Sequence, residues 1–134
     1  MKIPEDTSTF RYYNANPKNK HTTDCVVRAI CTALNQSYEQ TAKELTDLWL
    51  KTGNHISDVK CYGKYLESKG YIKNKQPRKT NNRKYTGTEF VQVFKDVCVA
   101  HIGGHHMVCI KDGKVLDTWN STRGSIGNYW TKQG

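Results

Sequence analysis

Residues 105–119, HHMVCIKDGKVLDTW, decide the fold class of this chain. Two short runs rich in β-forming residues flank an Asp-Gly pair, the dipeptide most typical of a two-residue hairpin turn. The stretch therefore predicts two antiparallel strands joined by a tight turn at residues 112–113. In that register His106 pairs near residue 119, and Asp117 lies diagonally from it on the same face of the sheet.

The residues before this hairpin follow a helical period instead. Apolar side chains recur three and four positions apart in CVVRAICTALN (25–35), which predicts a helix with one face toward the core. Polar residues suited to helix capping precede two further periodic segments, and a glycine follows each of them. The predicted helices are 25–35, 38–53 capped by Ser37, 58–70 capped by Ser57, and a short helix introduced by TGTE (86–89), which has capping-box form.

After Asp96 the period changes to that of short strands. The predicted strands are VCVAHI (97–102), HMVCI (106–110), KVLDTW (114–119) and, at an edge, GNYW (127–130). Residues 1–23 are polar and rich in asparagine, and we expect them to be irregular. Helices followed by strands predict an α+β fold in which N-terminal helices pack on a C-terminal antiparallel sheet. With 134 residues and no boundary signal, the sequence predicts one domain over residues 1–134.

Composition indicates a soluble globular protein without a membrane segment. Hydrophobic residues make up 36% of the chain and charged residues 25%. No stretch approaches the roughly 20 apolar residues of a membrane-spanning helix, and the first residues do not resemble a signal peptide. The five cysteines are odd in number and unevenly spaced, which argues against a disulfide framework. We therefore expect a cytoplasmic protein in which Cys31, Cys61, Cys98 and Cys109 are small buried residues.

A basic segment, YIKNKQPRKTNNRKY (71–85), carries much of the net charge of +9, with six Lys and Arg residues and no acid. Such a cluster is typical of nucleic-acid-binding surfaces, so nucleic acid is a candidate partner through Lys73–Lys84. A solvated connecting loop is the favoured alternative, because the segment lacks interleaved aromatic residues and any recognisable binding module.

Cys25 is the candidate nucleophile. It begins the first predicted helix, where the positive end of the helix dipole favours a thiolate. The neighbouring Asp24 opposes the thiolate unless it is paired, and Arg28 lies one helical turn away to pair with it. A nucleophilic cysteine also needs a base and a group that orients the base, and the hairpin offers His106 and Asp117 for these two roles.

Two neighbours of these residues are weaker candidates. Asn120 is a second group that could orient the base, but its parity puts it on the opposite face of a regular strand. His105 is expected on the face opposite His106 for the same reason. Trp119 is expected either in the core or as a cover over the His–Asp pair, and the sequence leaves both open.

The chain order of a helical cysteine followed by a histidine and an aspartate in a sheet resembles that of papain-like cysteine peptidases. HHMVCI is similar to the strand that starts with their catalytic histidine, and DTW (117–119) resembles their Asn-Ser-Trp, whose tryptophan shields the His–Asn hydrogen bond. The resemblance implies a papain-like fold with Cys25, His106 and Asp117 as a triad. Three stretches also resemble small uncharacterised proteins of Gram-positive bacteria and their phages: YYNANPKNKHTTDCVVRAICTAL (12–34), YTGTEF (85–90) and DGKVLDTWNSTRGSIGNYW (112–130).

Two features depart from the papain pattern. A glutamine a few residues before the cysteine, whose amide helps to bind the oxyanion, is absent here. Asn19, six residues before Cys25, is the candidate substitute, with the backbone N–H of Cys25 as the second donor. Val26 replaces the aromatic residue that usually follows the cysteine. Because the loss of an oxyanion donor costs about 100-fold or more in rate, weak or absent activity stays an alternative.

A metal site is the competing chemistry. Two cysteines and three histidines lie within twelve residues, at spacings that can bind zinc: Cys98, His101, His105, His106 and Cys109. The segment is predicted as strands, however, in which ligands must lie two positions apart to share a face. The chain also lacks a CxxC pair, so the sequence favours a site without metal and without a cofactor.

The sequence thus predicts a cysteine-dependent hydrolase, whether peptidase, isopeptidase or amidase, that acts through a thioester intermediate. Deamidases and transglutaminases use the same kind of site, and the sequence does not separate them from a hydrolase. Its predicted site residues are Cys25, His106, Asp117 and Asn19. A protein or peptide is the expected substrate. The alternative is a catalytically weak or inactive phage-type binding protein that engages a host protein or nucleic acid through its basic surface. We expect either protein in the cytoplasm of a bacterium or of a phage-infected bacterial host.

Overall fold

Four helices and one six-stranded mixed sheet form the structure, a computed structural model that describes residues 2–133. The helices are α1 (Cys25–Leu34), α2 (Tyr38–Thr52), α3 (Val59–Ser68) and α4 (Gly87–Val93). The strands are β1 (Phe10–Tyr12), β2 (Tyr71–Asn74), β3 (Cys98–Ile102), β4 (His106–Lys111), β5 (Lys114–Asp117) and β6 (Ile126–Lys132). The predicted α+β class is confirmed.

The ends of α1 and α2 follow the capping chemistry of the sequence. α1 ends at Asn35, whose φ of 54° is left-handed, a conformation that asparagine tolerates better than most residues. The Ser37 hydroxyl accepts a hydrogen bond from the Gln40 N–H at 3.1 Å and starts α2, which ends at Gly53 with φ of 81°. The predicted ends of both helices are confirmed.

The prediction for the start of α3 was wrong by one residue. Asp58, not Ser57, is the N-cap, and its carboxylate accepts a hydrogen bond from the Lys60 N–H. The Ser57 hydroxyl instead lies 2.7 Å from His55 Nδ1, which removes it from the helix end. The predicted capping box of the fourth helix is present as TGTE, with Thr86 as N-cap.

The hairpin that decides the fold class forms in the predicted register. Asp112 and Gly113 have φ values of 55° and 72°, as a type I′ turn requires. Cys109 faces Leu116 across the two strands, as predicted. β5 ends at Asp117, however, so the predicted strand 114–119 was two residues too long, and the expected pairing of His106 with residue 119 does not form in the sheet. β4 is a central strand, because the order in the sheet is β1-β5-β4-β3-β6-β2.

The sheet differs from the prediction in three ways. It is mixed, because β1 pairs in parallel with β5, and β1 lies in residues 1–23, which were expected to be irregular. β2 was not predicted, and it begins the basic segment. β6 is longer than GNYW and lies between β3 and β2, so it is not an edge strand. Strands of three or four residues are set by their partners more than by their own propensity.

Apolar side chains cover both faces of the sheet. On one face α1, α2 and α3 pack over a cluster that includes Ile30, Leu66 and Trp130. On the other face α4 contributes Phe90 to a cluster with Ile110. Each of these side chains is at most 3% exposed, and burial of one such side chain contributes roughly 1.5–3 kcal/mol. This packing fixes α1 across β4, so that the start of the helix lies near the start of the strand.

The cysteines expected in the core are there. Cys31, Cys61, Cys98 and Cys109 are buried and carry free thiols, whereas Cys25 is only partly buried. No helix within residues 2–133 combines the length and apolar character needed to cross a membrane.

Candidate active site

Cys25 is the first residue of α1 and lines a cavity of about 320 Å³. The cavity lies between the start of α1, the loop before α3, and the β3–β4 turn. Its other walls include Val27, Ile56, Tyr62 and Met107. The thiol is thus partly enclosed but open to a ligand, unlike the other four cysteines.

His106 and Asp117 are joined by a hydrogen bond of 2.7 Å between Nε2 and Oδ2. Asp117 is 1% exposed, and its carboxylate also accepts hydrogen bonds from the Ser121 hydroxyl at 2.6 Å and from the Thr118 N–H at 2.7 Å. These three donors fix the carboxylate. With Nε2 held by Asp117, Nδ1 is the nitrogen that His106 presents to Cys25.

Arg28 connects the two acids of the site. Its Nε lies 2.7 Å from Asp24 Oδ1, the predicted pair, and its Nη1 lies 3.3 Å from Asp117 Oδ1, which the sequence did not indicate. The guanidinium is 10% exposed, so both contacts are made with little screening by solvent. Arg28 therefore neutralises Asp24, the acid next to Cys25, and also pairs with Asp117, the acid that holds His106.

Asp24 is the N-cap residue of α1, but its side chain makes no capping hydrogen bond. Its carboxylate is held by Arg28, by the Asn16 amide at 3.0 Å and by the Tyr38 hydroxyl at 2.7 Å. The Arg28 N–H donates to the Asp24 carbonyl at 3.0 Å, but among the residues that the structure describes, the N–H groups of Cys25, Val26 and Val27 have no acceptor. These donors, that of Cys25 included, remain available to an oxyanion beside the thiol.

The surroundings favour a charged Cys25–His106 pair. Burial raises the pKa of Cys25, but hydrogen bonds from His106 and from the Met107 backbone N–H, with the charges of His106 and Arg28, lower it below its ordinary value. Burial lowers the pKa of His106, yet its hydrogen bonds with Asp117 and Cys25 raise it to about 9. The Cys25 thiol is thus a stronger acid than an ordinary cysteine, and the His106 imidazole is a stronger base than an ordinary histidine. These two shifts favour transfer of the proton from the thiol to the imidazole, which gives a thiolate–imidazolium pair.

Asp117 stays ionised in this array. Burial raises the pKa of its carboxyl, but the hydrogen bond and charge of His106 and the hydrogen bonds from Ser121 and Thr118 lower it below the ordinary value. The carboxylate can therefore hold the imidazolium in place without taking its proton.

Trp119 lies over His106 and not in the core. It is 52% exposed, and its ring centroid is 5.1 Å from that of His106. Of the two roles that the sequence left open, the structure shows the covering position. Asn120 is exposed, and its side-chain oxygen accepts hydrogen bonds from Thr122, so it does not orient the base. His105 lies in the β3–β4 turn and lines the Cys25 cavity, contrary to its expected place on the opposite sheet face.

Asn19 lies on the exposed loop before α1. Its φ is 53°, and its N–H donates to the Asn16 carbonyl at 2.9 Å, which closes a tight turn. Its side chain makes no hydrogen bond to any residue in 2–133, and it is not among the residues that line the Cys25 cavity. The role of Asn19 as an oxyanion donor stays a prediction.

The residues of the competing zinc hypothesis do not gather at one point. Cys98 pairs with Ile110 and Cys109 with Val99, so adjacent strands place the two thiols on opposite faces of the sheet. Over residues 2–133 no three His, Cys, Asp or Glu side chains form a group that could hold a metal ion.

The sequence did not predict three features of the site. Ser121, in the loop after β5, donates a hydrogen bond to Asp117, and the only sign of this in the sequence was that Ser121 follows Asp117 by four residues. Met107 offers its backbone N–H, which no side-chain pattern can show. Tyr62 forms a wall of the cavity and hydrogen-bonds His101 on β3, and only the packing of α3 on the sheet brings these two together.

No protein-family model matches the chain, and neither the curated proteins nor the solved structures include a significant match.

Proposed function

We propose that this protein is a papain-like, cysteine-dependent hydrolase of peptide, isopeptide or other amide bonds. The observation that carries the proposal is the Cys25–His106–Asp117 array, in which the carboxylate lies 2.7 Å from the imidazole and the pKa of Cys25 is lowered. The early helical cysteine, the strand-borne histidine and the tryptophan over it support the papain-like assignment.

The array supports acyl transfer in two steps. The Cys25 thiolate attacks the carbonyl carbon of the scissile amide, and the oxyanion that forms faces the free N–H groups at the start of α1. His106 donates its proton to the leaving nitrogen as the carbon–nitrogen bond breaks, which leaves a thioester on Cys25. The neutral imidazole then takes a proton from water, the hydroxide attacks the thioester, and the thiolate returns with release of the acid.

Free cysteines are typical of proteins that work in a reducing compartment. We therefore propose the cytoplasm of a bacterium or of a phage-infected bacterial host as the site of action. Five thiols in 134 residues, none of them in a disulfide, fit that environment.

Labelling of Cys25 against pH tests the proposal. At pH 6 to 7 iodoacetamide should modify Cys25 faster than it modifies a model thiol, because the lowered pKa of Cys25 gives a larger thiolate fraction. Mass spectrometry assigns the modified residue. His106→Ala should remove the advantage, whereas His55→Ala, which changes another histidine of the same cavity, should leave it. A reactivity equal to that of the model thiol, unchanged in His106→Ala, would contradict the proposal.

A second candidate is a binding protein whose triad is weak or inactive and whose basic surface engages a host protein or nucleic acid. The observation that favours it is the exposed basic segment, where Lys73, Lys75, Arg78, Arg83 and Lys84 all face solvent. Retention on heparin or DNA that is lost when these residues are neutralised, together with an unreactive Cys25, would favour this candidate.

A further inference from the structure

The basic loop, residues 75–86 between β2 and α4, has a fixed shape. The Lys79 N–H donates to the Arg83 carbonyl at 2.8 Å, and Arg78 and Lys84 form an isolated antiparallel bridge. Asn82 adopts a left-handed φ of 66° at the tip. Lys79 also pairs with Glu89 of α4, which ties the loop to the body of the protein. The cationic side chains therefore project from an ordered turn and not from a loose chain.

Most of the positive charge of the basic loop and the adjoining strand β2 is not paired with a carboxylate. Within residues 2–133, Lys79 is the only cation of the loop that has a carboxylate in salt-bridge range. The exposed, unpaired cations here and on the adjoining strand are Lys73, Lys75, Arg78, Arg83 and Lys84. Such a surface attracts anionic groups and raises their local concentration.

This basic surface lies beside a second cavity that neighbours the Cys25 cavity. Lys84, His101 and Gly104 line a second cavity of about 310 Å³ beside the loop. His101 hydrogen-bonds Tyr62, and Tyr62 lines the Cys25 cavity. Gly104 is followed by His105, which also lines the Cys25 cavity. The two cavities share no lining residue, but they are neighbours across the Tyr62–His101 pair and the Gly104–His105 peptide.

Few acids lie near the two cavities: Asp58, the N-cap of α3, is close enough to Tyr62 to raise the pKa of its hydroxyl, but it does not line either cavity. Among the described residues that line the two cavities, Asp24 is the single carboxylate, and Arg28 already neutralises it. A ligand that extends from the thiol toward the loop therefore leaves a partly buried site and meets only neutral or cationic groups.

From this adjacency and the unpaired cations we propose that the basic loop binds an acidic segment of the polypeptide substrate while the neighbouring backbone occupies the Cys25 cavity. The inference rests on the proposed hydrolase function. A polypeptide is favoured over nucleic acid because the loop exposes no aromatic ring on which a base could stack. Tyr71 is buried, and Tyr85 packs against Phe90 beneath Lys79.

Two alkylating peptides test the proposal. Each carries a chloroacetamide group, a flexible Gly-Ser linker of about ten residues, which spans roughly 17 Å, and then a run of either glutamates or glutamines. At low salt the glutamate reagent should modify Cys25 at least about tenfold faster than the glutamine reagent, and 0.5 M salt should remove most of this advantage.

Two matched variants locate the effect. Lys75→Gln/Arg83→Gln/Lys84→Gln should lose most of the glutamate advantage. Lys2→Gln/Lys51→Gln/Lys64→Gln removes the same charge from exposed lysines outside the basic loop and should keep it. An equal loss in both variants would show a net-charge effect and overturn the proposal, as would equal rates for the two reagents in the wild-type protein.

Two further measurements separate this proposal from the hydrolase assignment and from nucleic acid. Untethered iodoacetamide reports activation of Cys25 alone, and its rate should be the same in both triple variants. If iodoacetamide does not label wild-type Cys25 faster than a model thiol, both the hydrolase proposal and the docking proposal are contradicted. If Cys25 is activated but the glutamate reagent has no advantage over the glutamine reagent, only the docking proposal is overturned. Oligonucleotides that bind the loop more tightly than a glutamate peptide, without slowing Cys25 labelling, would assign the surface to nucleic acid and overturn it as well.

Discussion

Arg28 Nη1 lies 3.3 Å from Asp117 Oδ1 and joins α1 to β5 across 89 positions of the sequence. Asp117 has no exposed side-chain surface, and the guanidinium is 10% exposed. Since the same guanidinium binds Asp24, the stability of the helix–sheet contact and the charge balance of the candidate site depend on one residue.

Replacement of Arg28 should therefore be costly. Arg28→Met keeps much of the aliphatic volume but leaves the Asp24 carboxylate without its cation and Asp117 with His106 alone, and we expect a loss of about 3 kcal/mol in the free energy of unfolding. Urea denaturation measures it. The matched control is Lys43→Met, which breaks an ion pair with Asp47 whose side chains are 79% and 63% exposed and should cost less than about 1 kcal/mol. Similar losses in the two variants would contradict the central role of Arg28.

Asp117→Asn should weaken the thiolate without a large change in shape. The neutral amide no longer raises the pKa of His106, so the imidazolium that supports the Cys25 thiolate is less stable. We expect iodoacetamide labelling of Cys25 at pH 6 to 7 to slow by about tenfold or more, since one pKa unit is a tenfold change in population. Asp112→Asn in the hairpin turn is the control, because an Asn-Gly pair suits the same turn and the site is untouched. Unchanged labelling in Asp117→Asn would argue against the carboxylate's role.

The raised pKa of His106 predicts how stability depends on pH. In a Cys25→Ala background the thiol no longer titrates, and the hydrogen bond with Asp117 still raises the pKa of His106. The folded state then holds a proton that the unfolded chain releases near pH 6.5, so this stabilisation is complete below about 6.5. It should be lost as the pH rises through the raised pKa of His106 in this background, which lies below the value of about 9 in the intact site because the contribution of Cys25 is gone, with a slope of at most about 1.4 kcal/mol per pH unit.

Chemical denaturation at several pH values measures this slope. His106→Gln in the same background should abolish it, because no group with that raised pKa remains. A slope that persists in His106→Gln would assign the pH dependence to another residue.

Asn19 can be tested apart from activation of the thiol. Acylation of Cys25 by a p-nitrophenyl ester passes through an oxyanion, whereas alkylation by iodoacetamide does not. If Asn19 donates to the oxyanion, Asn19→Gly should slow acylation by about 100-fold and leave alkylation unchanged. Glycine is the chosen replacement because it accepts the φ of 53° at this position without strain. Equal acylation rates in the two proteins would leave the backbone N–H groups of α1 as the donors.

The predictable parts of the structure are those set by local chemistry. An Asp-Gly turn fixed the register of β4 and β5, and that register brings Asp117 to His106. The ends of α1 and α2 followed from Asn35, Ser37 and Gly53 for the same reason.

The parts that could not be predicted depend on distant partners. β1 is three residues long and exists because β5 offers it an open edge, and β6 is internal only because β2 covers its far side. The second contact of Arg28 likewise depends on how α1 lies across the sheet. A neighbour in the sequence could be expected to pair with Arg28, but a residue 89 positions away could not.

The order of the candidate site along the chain has a consequence during synthesis. Cys25 leaves the ribosome before His106, which lowers its pKa, and before Asp117, which raises the pKa of His106. Until they arrive, the nascent chain carries Cys25 without the hydrogen bond and the charge of His106. Reactivity is thus delayed until the sheet closes on α1, and a truncated product that ends before β4 would expose a cysteine but not an activated one.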